Sequence, residues 1–295
     1  RGTANALIDA GSKVGPALGV LLGVKMIGWF TWRGMFLVMG GASLLWLLPW
    51  CLIAAKLPSH PPRNEAASPV QMPSLRQILS ERALWGSALG LFGGNYTWFV
   101  FLNWLPYYFE TERHYTHDKL AIFSSLPFWT VALTSLIFGI LADFFIRRGR
   151  DAGHVRQWFV CLGLLGCCGF MLPAVVVANP ATANTMLLLA AGFMGAWSSN
   201  NWALTQLLAG PRAAGKWTGV QNTFGNFAGV VGQIASGYSL QITHSFFAAF
   251  AIAGAILLLG VFGYAVIIRH PREIIWETDV STKPALKPDR LRAKA

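Results

Sequence analysis

The sequence is short of charged residues. Asp, Glu, Lys and Arg make up 12% of its 295 residues, whereas hydrophobic residues make up 54%. A soluble domain carries roughly 25% charged residues, and so few charges cannot cover the surface of a soluble globule of this size. The shortage therefore excludes a soluble domain and predicts an integral membrane protein surrounded by a lipid bilayer.

Acidic residues are scarcer than basic ones. The chain has 12 Asp and Glu against 23 Lys and Arg, which gives a net charge of +11. Such a charge can indicate nucleic-acid binding. Here, however, the basic residues fall mostly in short loops and in the tail, between apolar runs. We therefore expect no nucleic-acid partner.

Residues typical of metal sites and of catalysis are also few. The four cysteines, at positions 51, 161, 167 and 168, all fall within apolar runs, whereas a zinc site or a disulfide framework would place them in polar loops at regular spacing. No cluster of His, Cys or carboxylates shows the spacing of a metal or catalytic site. We expect no metal, no cofactor and no enzymatic activity.

Long apolar runs dominate what is present. Roughly 20 residues cross the hydrocarbon core of a membrane, and eight segments are long enough to do so. They cover 5–27, 34–55, 84–108, 119–142, 157–178, 183–208, 217–241 and 245–268. The sequence therefore predicts an all-α, polytopic membrane protein with eight transmembrane helices.

Lys and Arg indicate how these spans are oriented. Seventeen of them fall in the proline-rich segment after the second span, in the tail and in the two loops on the same side, whereas the opposite side has four. Because basic loops stay on the cytoplasmic side, we expect a multi-pass protein of the cell (inner) membrane whose proline-rich linker and tail are cytoplasmic.

One loop carries an ordered set of residues. Gly139, Asp143, Arg147 and Arg148 join the fourth and fifth spans, and their order resembles the loop signature of the major facilitator superfamily. Asp143 can close a helix end and pair with Arg side chains across the loop, which would make the turn a latch between transport states. The alternative is an ordinary basic cytoplasmic loop.

The resemblance implies a register. In the superfamily the signature lies between helices two and three and again between helices eight and nine, and only the second placement fits the linker here. The eight spans then correspond to helices five to twelve of twelve, and the missing N-terminal helices would be required for function. The implied parts are the end of the first half (1–55), a cytoplasmic linker (56–83), a six-helix second half (84–268) and a tail (269–295).

Three further stretches resemble the anion:cation symporter family within that superfamily. They are Arg1-Gly-Thr-Ala with the glycines after it, Asn95-Tyr96 followed by Asn103-Trp-Leu-Pro-Tyr-Tyr, and Pro211-Arg-Ala-Ala-Gly ahead of Asn222. The resemblance implies transport of a small organic anion, a sugar acid or an aromatic carboxylate, coupled to protons by alternating access. The alternative is a membrane scaffold or sensor that keeps the carrier fold without transport.

A charge deep in the first span is a candidate for the site. Lys13 lies away from the ends of that span, where a charge is costly and by default functional. Asp9, one turn earlier, could neutralise it. Three possibilities remain open: a structural Asp9–Lys13 pair, a Lys13 that helps to hold a substrate carboxylate, and a side chain that snorkels to the cytoplasmic face.

Amides and hydroxyls form a second candidate set, because lipid offers them no partner. Ser198, Asn201, Trp202 and Thr205 share one helical face, where Trp202 would give a flat wall for a sugar-acid skeleton. By resemblance, the substrate-contacting positions of the family correspond to Ser12, Ser199, Asn201, Trp202 and Asn222.

Other polar residues near these positions leave two interpretations open. Asn226 lies one turn past Asn222 and could line the same path, or these side chains could form interhelical hydrogen bonds that join the sixth and seventh spans. Asn95 and Tyr96, near the middle of the third span, either line the cavity or pack against neighbouring helices.

Overall fold

The computed structural model of the chain describes residues 2–56 and 72–276, and within those ranges it contains helices and no strand. The chain is therefore all-α, as predicted. The helices are α1 (Gly2–Trp29), α2 (Trp32–Ser43), α3 (Leu47–Ala54), α4 (Leu75–Ser80), α5 (Arg82–Asn103), α6 (Leu105–Thr111), α7 (His117–Arg147), α8 (Ala152–Val176), α9 (Pro180–Thr243) and α10 (Phe246–Phe262).

All eight predicted spans are helical, but they differ in hydropathy. Five helical stretches of the described part are long and apolar enough to cross a membrane: Leu7–Trp29, Trp32–Ala54, His117–Arg147, Ala152–Val176 and Phe246–Ile267. The second of them joins α2 and α3 through a 3-10 turn, and the fifth continues α10 through a π turn. The helices α5 and α9 carry most of the predicted site residues and are not among these five, because they are less apolar.

The 64 residues of α9 form a hairpin of two helical arms. Gly210 has φ +66° and ψ 172°, a conformation essentially open only to glycine. The Thr205 hydroxyl lies 2.9 Å from the Gln221 side-chain oxygen, although 16 residues of straight helix would span about 24 Å. The chain therefore doubles back at Gly210, and the first arm (180–209) lies beside the second arm (211–243).

The turn of this hairpin is tighter than the sequence predicted. The predicted spans ended at 208 and resumed at 217, whereas the structure interrupts the helix at Gly210 and resumes it at Pro211. Proline is well suited to the first helical position, because it lacks an N–H that would have no partner there. The residues from 211 to 216 are thus helical instead of forming a loop.

The bundle is formed by α5, α7, α8, α10 and the two arms of α9. Its core contains large side chains that are fully buried, among them Tyr96, Phe128 and Trp217. Glycines permit the closest crossings: a Cβ on Gly93 of α5 would lie 3.0 Å from the backbone of Gly260 on α10. Close backbone approach at small residues is typical of membrane helices.

α1 joins this bundle by packing on α7 and, through fewer residues, on the first arm of α9. By contrast, α2 and α3 have no buried residue; α2 contacts α1, and α3 contacts the 3-10 turn that joins it to α2. Large apolar side chains, including Trp46 and Leu48, are exposed along them. Their surface therefore has the composition of one that faces lipid or another apolar helix.

Two peripheral segments are ordered close to one end of the bundle. Within the predicted linker, α4 is stabilised by a capping box between Ser74 and Gln77, and Lys216 donates to the Pro73 carbonyl at 2.9 Å. Residues 57–71 of that linker and residues 277–295 of the tail lie outside the described residues. The rest of the tail, residues 269–276, runs along the bundle; we call it the strap, and this end the strap end.

Candidate functional site

A buried ion pair lies where α1 meets α9. One carboxylate oxygen of Asp9, Oδ1, is 3.7 Å from Lys13 Nζ and accepts a hydrogen bond from the Ser198 hydroxyl at 2.8 Å. Lys13 Nζ also lies 4.1 Å from the ring centroid of Trp98 on α5, within the range of a cation–π interaction. Three helices thus meet at this ion pair, and we call Asp9, Lys13, Trp98 and Ser198 the Lys13 cluster.

The Lys13 cluster lies well inside the bundle. Ser198 precedes the break at Gly210 by twelve residues, which corresponds to about 18 Å along the first arm. The hydrocarbon core of a bilayer is about 30 Å thick, so a helix that left this core at Gly210 would carry the cluster near its middle. At this depth an ionised side chain is a functional hypothesis by default.

Several of the predicted site residues surround this cluster. Ser12 is exposed beside Lys13, and its hydroxyl donates to the Asp9 carbonyl at 2.7 Å. Asn95 is partly buried one turn before Trp98, and Trp202 is partly buried one turn after Ser198. Residues three or four positions apart share a helix face, so Asn95 and Trp202 lie on the faces that carry the cluster.

Asn222 and Asn226 lie on the second arm and are exposed. The Asn226 amide donates to the Asn222 side-chain oxygen at 2.7 Å. Gln233, which shares their side of the arm at 100° per residue, donates to the Phe99 carbonyl of α5 at 3.4 Å. This polar stripe therefore runs along α5, although no hydrogen bond joins it to the Lys13 cluster among the described residues.

Asn201 lies instead in a buried hydrogen-bond network. Its side-chain oxygen accepts from the Tyr264 hydroxyl at 2.6 Å and from the Gln221 amide at 3.4 Å. Gln221 lies on the second arm and Tyr264 follows α10. Asn201 thus joins three parts of the bundle, which is the interhelical alternative that the sequence had left open.

Two other predicted residues are closed to solvent as well. Ser199 is buried, and its hydroxyl donates to the Gly195 carbonyl at 3.0 Å and accepts from the Asn200 amide at 3.2 Å. Tyr96 is fully buried, and its ring lies against Gly232 on the second arm. In this conformation neither side chain faces an open surface.

A second charged site lies at the strap end. The Asp143 carboxylate of α7 is 3.1 Å from Nη2 of Arg156 on α8, and Nη1 of Arg156 donates to the Asn200 side-chain oxygen of α9 at 3.4 Å. Arg156 is not among the site residues predicted from the sequence. Its signal was available, because it is the last charged residue before a long uncharged stretch of α8.

The remaining residues of the predicted latch lie around this ion pair. Arg147 lines the same cavity of about 500 Å³ as Asp143 and Arg156. The Arg148 guanidinium is exposed and lies 4.1 Å from the ring centroid of Phe144, whereas Gly139 is buried one turn before Asp143. The loop signature therefore lies next to a contact between three helices.

The position of Arg156 depends on how α8 begins. Asp151 is the N-cap, and its carboxylate accepts from the backbone N–H of His154 at 2.9 Å. That hydrogen bond, followed by one to the His154 ring, lowers the pKa of the Asp151 carboxyl, because both stabilise its charged form. The cap thus fixes the first turn of α8, from which Arg156 reaches Asp143.

At the strap end, the strap covers the break in α9. The last carbonyls of a helix have no partner within the helix, and here the Leu208 carbonyl accepts from the Ile274 N–H at 3.1 Å. The Ala209 carbonyl accepts from the Trp276 indole N–H, also at 3.1 Å. Glu273 lines the cavity beside Arg156, so the strap adds a carboxylate to that site.

Comparison with known proteins places these features in context. The family model described as Major Facilitator Superfamily matches residues 1–233. "Probable anion transporter 3, chloroplastic" of Arabidopsis thaliana is 29% identical over 262 residues, which are 83% of this chain and 51% of that protein. "Probable galactarate/D-glucarate transporter GarP" of Escherichia coli (strain K12) is 28% identical, over 91% of this chain and 65% of that protein.

A solved structure shares the arrangement of helices. A bacterial homolog to the human lysosomal transporter Spinster, in an inward-facing and unoccupied conformation, superposes with a TM-score of 0.61 over 81% of this chain and 59% of that one, at 15% identity. At that identity the likeness concerns the fold alone. The chain spans about half to two thirds of the length of these relatives.

Proposed function

Because the chain belongs to the Major Facilitator Superfamily, we propose that it serves the transport of a small organic anion, a sugar acid or an aromatic carboxylate, coupled to protons by alternating access. The observation that carries this proposal is the Lys13 ammonium, which lies 4.1 Å from the centroid of the Trp98 ring. The printed names of the relatives, an anion transporter and a galactarate/D-glucarate transporter, support the same class of substrate.

The geometry suggests a role for each wall of this site. Lys13 would pair with the carboxylate of the anion, because a charge-assisted hydrogen bond is the strongest single contact available there. The rings of Trp98 and Trp202 would cover the carbon skeleton, and the amides of Asn95 and Asn222 would bind its hydroxyls. Asn226, hydrogen-bonded to Asn222, would orient that amide.

Ser12, Ser199, Asn201 and Tyr96 have supporting roles in this proposal. Ser12 is exposed next to Lys13 and can reach a ligand by rotating its hydroxyl away from the Asp9 carbonyl. The other three are buried and would hold the helices that present the site. Asp143 with Arg156, together with the strap, would form the latch at the cytoplasmic end of a carrier in the cell (inner) membrane.

Binding to the purified chain in detergent tests the proposal. Calorimetry measures the affinities for three anions, galactonate, glucarate and benzoate. Galactose, which has a similar skeleton to galactonate but no charge, is the uncharged comparison. Lys13→Gln should weaken binding of the three anions by about ten- to 100-fold, because a hydrogen bond to a charged group contributes about 1.5–3 kcal/mol. Lys25→Gln, on the same helix but exposed, is the matched control.

The pattern of affinities decides the outcome. Equal binding of galactonate and galactose, or equal affinities in the Lys13 and Lys25 variants, would contradict an anion site at Lys13. Uptake of radiolabelled anion by proteoliposomes that contain the chain together with the N-terminal helices that the resemblance implies, with and without a pH gradient, then separates a proton-coupled carrier from the scaffold or sensor alternative, because the latter would bind the anion without moving it.

A further inference from the structure

The two oxygens of the Asp9 carboxylate have different surroundings. Oδ1 accepts from Ser198 and lies 3.7 Å from Lys13 Nζ, whereas Oδ2 is buried without a hydrogen-bond partner. The ion pair is loose, since charge-assisted hydrogen bonds measure about 2.7–2.9 Å. Lys13 has 15% of its side chain exposed against 4% for Asp9. The ammonium is therefore the more open partner of the pair, while the carboxylate stays enclosed.

No other charge stands near Asp9 in the described part of the chain. The first arm of α9 has no titratable residue, and α7 carries its charged residues only within five residues of its ends. On α5, Tyr96 faces the second arm of α9. On α2, Arg33 lies over Trp32, and Lys25 of α1 is about 24 Å along the helix. Lys13 is thus the cation that compensates Asp9.

We propose that Asp9 takes up the coupled proton, at Oδ2, when the substrate carboxylate replaces Asp9 as the partner of Lys13; this inference rests on the proposed function. An ionised carboxylate that loses its cation inside a bundle is strongly disfavoured, and protonation removes the charge. The proton comes from solvent, the only new covalent bond is the O–H on Asp9, and release of the anion reverses both steps.

Charge balance sets the stoichiometry of this exchange. Before binding, Asp9 and Lys13 together are neutral. After binding, a neutral Asp9, the Lys13 cation and one substrate carboxylate are again neutral, so the cluster takes up about one proton per bound carboxylate. Galactonate, with one carboxylate, would bind without a change in net charge. Glucarate has two carboxylates, of which one would pair with Lys13; it would also bind with uptake of about one proton and would add one uncompensated negative charge.

Proton uptake during galactonate binding tests the exchange. Calorimetry of the purified chain in buffers of different ionisation enthalpy should give about one proton taken up per galactonate bound, and the affinity should fall as the pH rises. Asp9→Asn, which frees Lys13 and keeps the side-chain shape, should bind galactonate with no proton uptake and with an affinity independent of pH. Asp118→Asn, exposed at the start of α7, should behave as the wild type.

Two further measurements guard against a variant that folds poorly. Asp9→Glu keeps a carboxyl and should retain proton uptake. In the wild type, the infrared difference spectrum between the galactonate-bound and free chain should show a new C=O band of a protonated carboxylic acid, which is absent for Asp9→Asn and present for Asp118→Asn. These two results do not depend on comparing affinities.

The outcomes separate the inference from the proposal beneath it. Galactonate binding by the wild type without proton uptake, or unchanged proton uptake by a folded Asp9→Asn chain, overturns the role of Asp9 and leaves the anion site intact. Absence of galactonate binding by the wild type contradicts the anion site itself, and the exchange fails with it. A C=O band that persists in Asp9→Asn assigns the proton to another carboxyl group and likewise overturns the inference.

Discussion

Arg156 and Asp143 form an ion pair across the turn between α7 and α8, with 3.1 Å between Nη2 and Oδ1. Their side chains are 7% and 13% exposed, so both charges are largely withdrawn from water. Arg156 also donates to Asn200 of α9. The pair therefore links three helices at the strap end, where a carrier of this fold would have to change its contacts between states.

Removing one member of this pair should destabilise the protein. We expect Arg156→Gln and Asp143→Asn each to lower the free energy of unfolding by about 3–5 kcal/mol, because each leaves a buried charge without its main counter-ion. Thermal unfolding in detergent measures the loss. The double variant should lose less than the sum of the two single variants, since the second change removes the stranded charge.

Arg148→Gln is the matched control for that experiment. Arg148 belongs to the same loop, but its guanidinium is exposed and lies over the Phe144 ring, so its loss should change stability by no more than about 0.5 kcal/mol. If Arg148→Gln and Arg156→Gln lowered the unfolding temperature equally, the exposed basic residues of the loop would hold the helices together as much as the buried pair.

Gly210→Ala should destabilise the protein, whereas the same change at a nearby glycine of the second arm should not. At Gly210 the backbone has φ +66° and ψ 172°, which costs a residue with a side chain about 1–3 kcal/mol. A Cβ there would also lie 2.5 Å from the Glu273 carboxylate. We expect a clear fall in unfolding temperature and a weaker contact between the strap and the first arm of α9.

Gly215→Ala provides the comparison. Gly215 lies inside the second arm, and a Cβ there would meet nothing within 4 Å. Because alanine is favoured over glycine inside a helix by up to about 1 kcal/mol, this change should leave stability equal or higher. Equal losses for both variants would mean that the hairpin of α9 does not depend on the backbone conformation at Gly210.

The strap should loosen when its indole hydrogen bond is removed. Trp276→Phe keeps an aromatic ring but deletes the N–H that donates to the Ala209 carbonyl, a contribution of about 0.5–1.5 kcal/mol. We expect faster hydrogen exchange over residues 269–276, measured by mass spectrometry. Trp158→Phe, at a side chain that is 73% exposed, should leave exchange in the strap unchanged; faster exchange in both variants would contradict the assignment.

Much of the fold could be predicted because the positions of the helices follow from local composition. Apolar runs of membrane length located the helices, and the gap between the runs at 183–208 and 217–241 located the turn of α9 to within a few residues. The tightness of that turn could not be predicted. It depends on the Leu208 and Ala209 carbonyls finding donors in the strap, some 65 residues later, in a segment whose basic, polar composition is typical of a free tail.

The candidate site was predictable in its residue types and less so in their partners. The spacing of Lys13 one turn after Asp9 made a pair one of three possibilities, and the structure contains that pair. The hydrogen bond from Ser198 to Asp9 joins residues 189 positions apart, and no local pattern encodes such a contact. The amide of an asparagine in an apolar helix can hydrogen-bond either to a ligand or to a neighbouring helix, so the sequence does not distinguish Asn201 from Asn222.

That ambiguity yields the last prediction, which separates Asn201 from Asn222. Tyr264→Phe removes the hydroxyl that donates to Asn201 at 2.6 Å in a buried position. Leaving the Asn201 oxygen with only its longer contact to Gln221 should lower stability by about 1–3 kcal/mol. Asn222→Ala, at an exposed position, should leave stability within about 0.5 kcal/mol of the wild type.

Affinity for galactonate should show the opposite order. Asn222→Ala would remove a hydrogen bond to a substrate hydroxyl and weaken binding by about fivefold, which corresponds to about 1 kcal/mol, whereas Tyr264→Phe should bind normally below its unfolding temperature. Calorimetry and thermal unfolding on the same preparations give both quantities. A loss of affinity in Tyr264→Phe with none in Asn222→Ala would move the site from the open stripe along α5 into the buried network around Asn201.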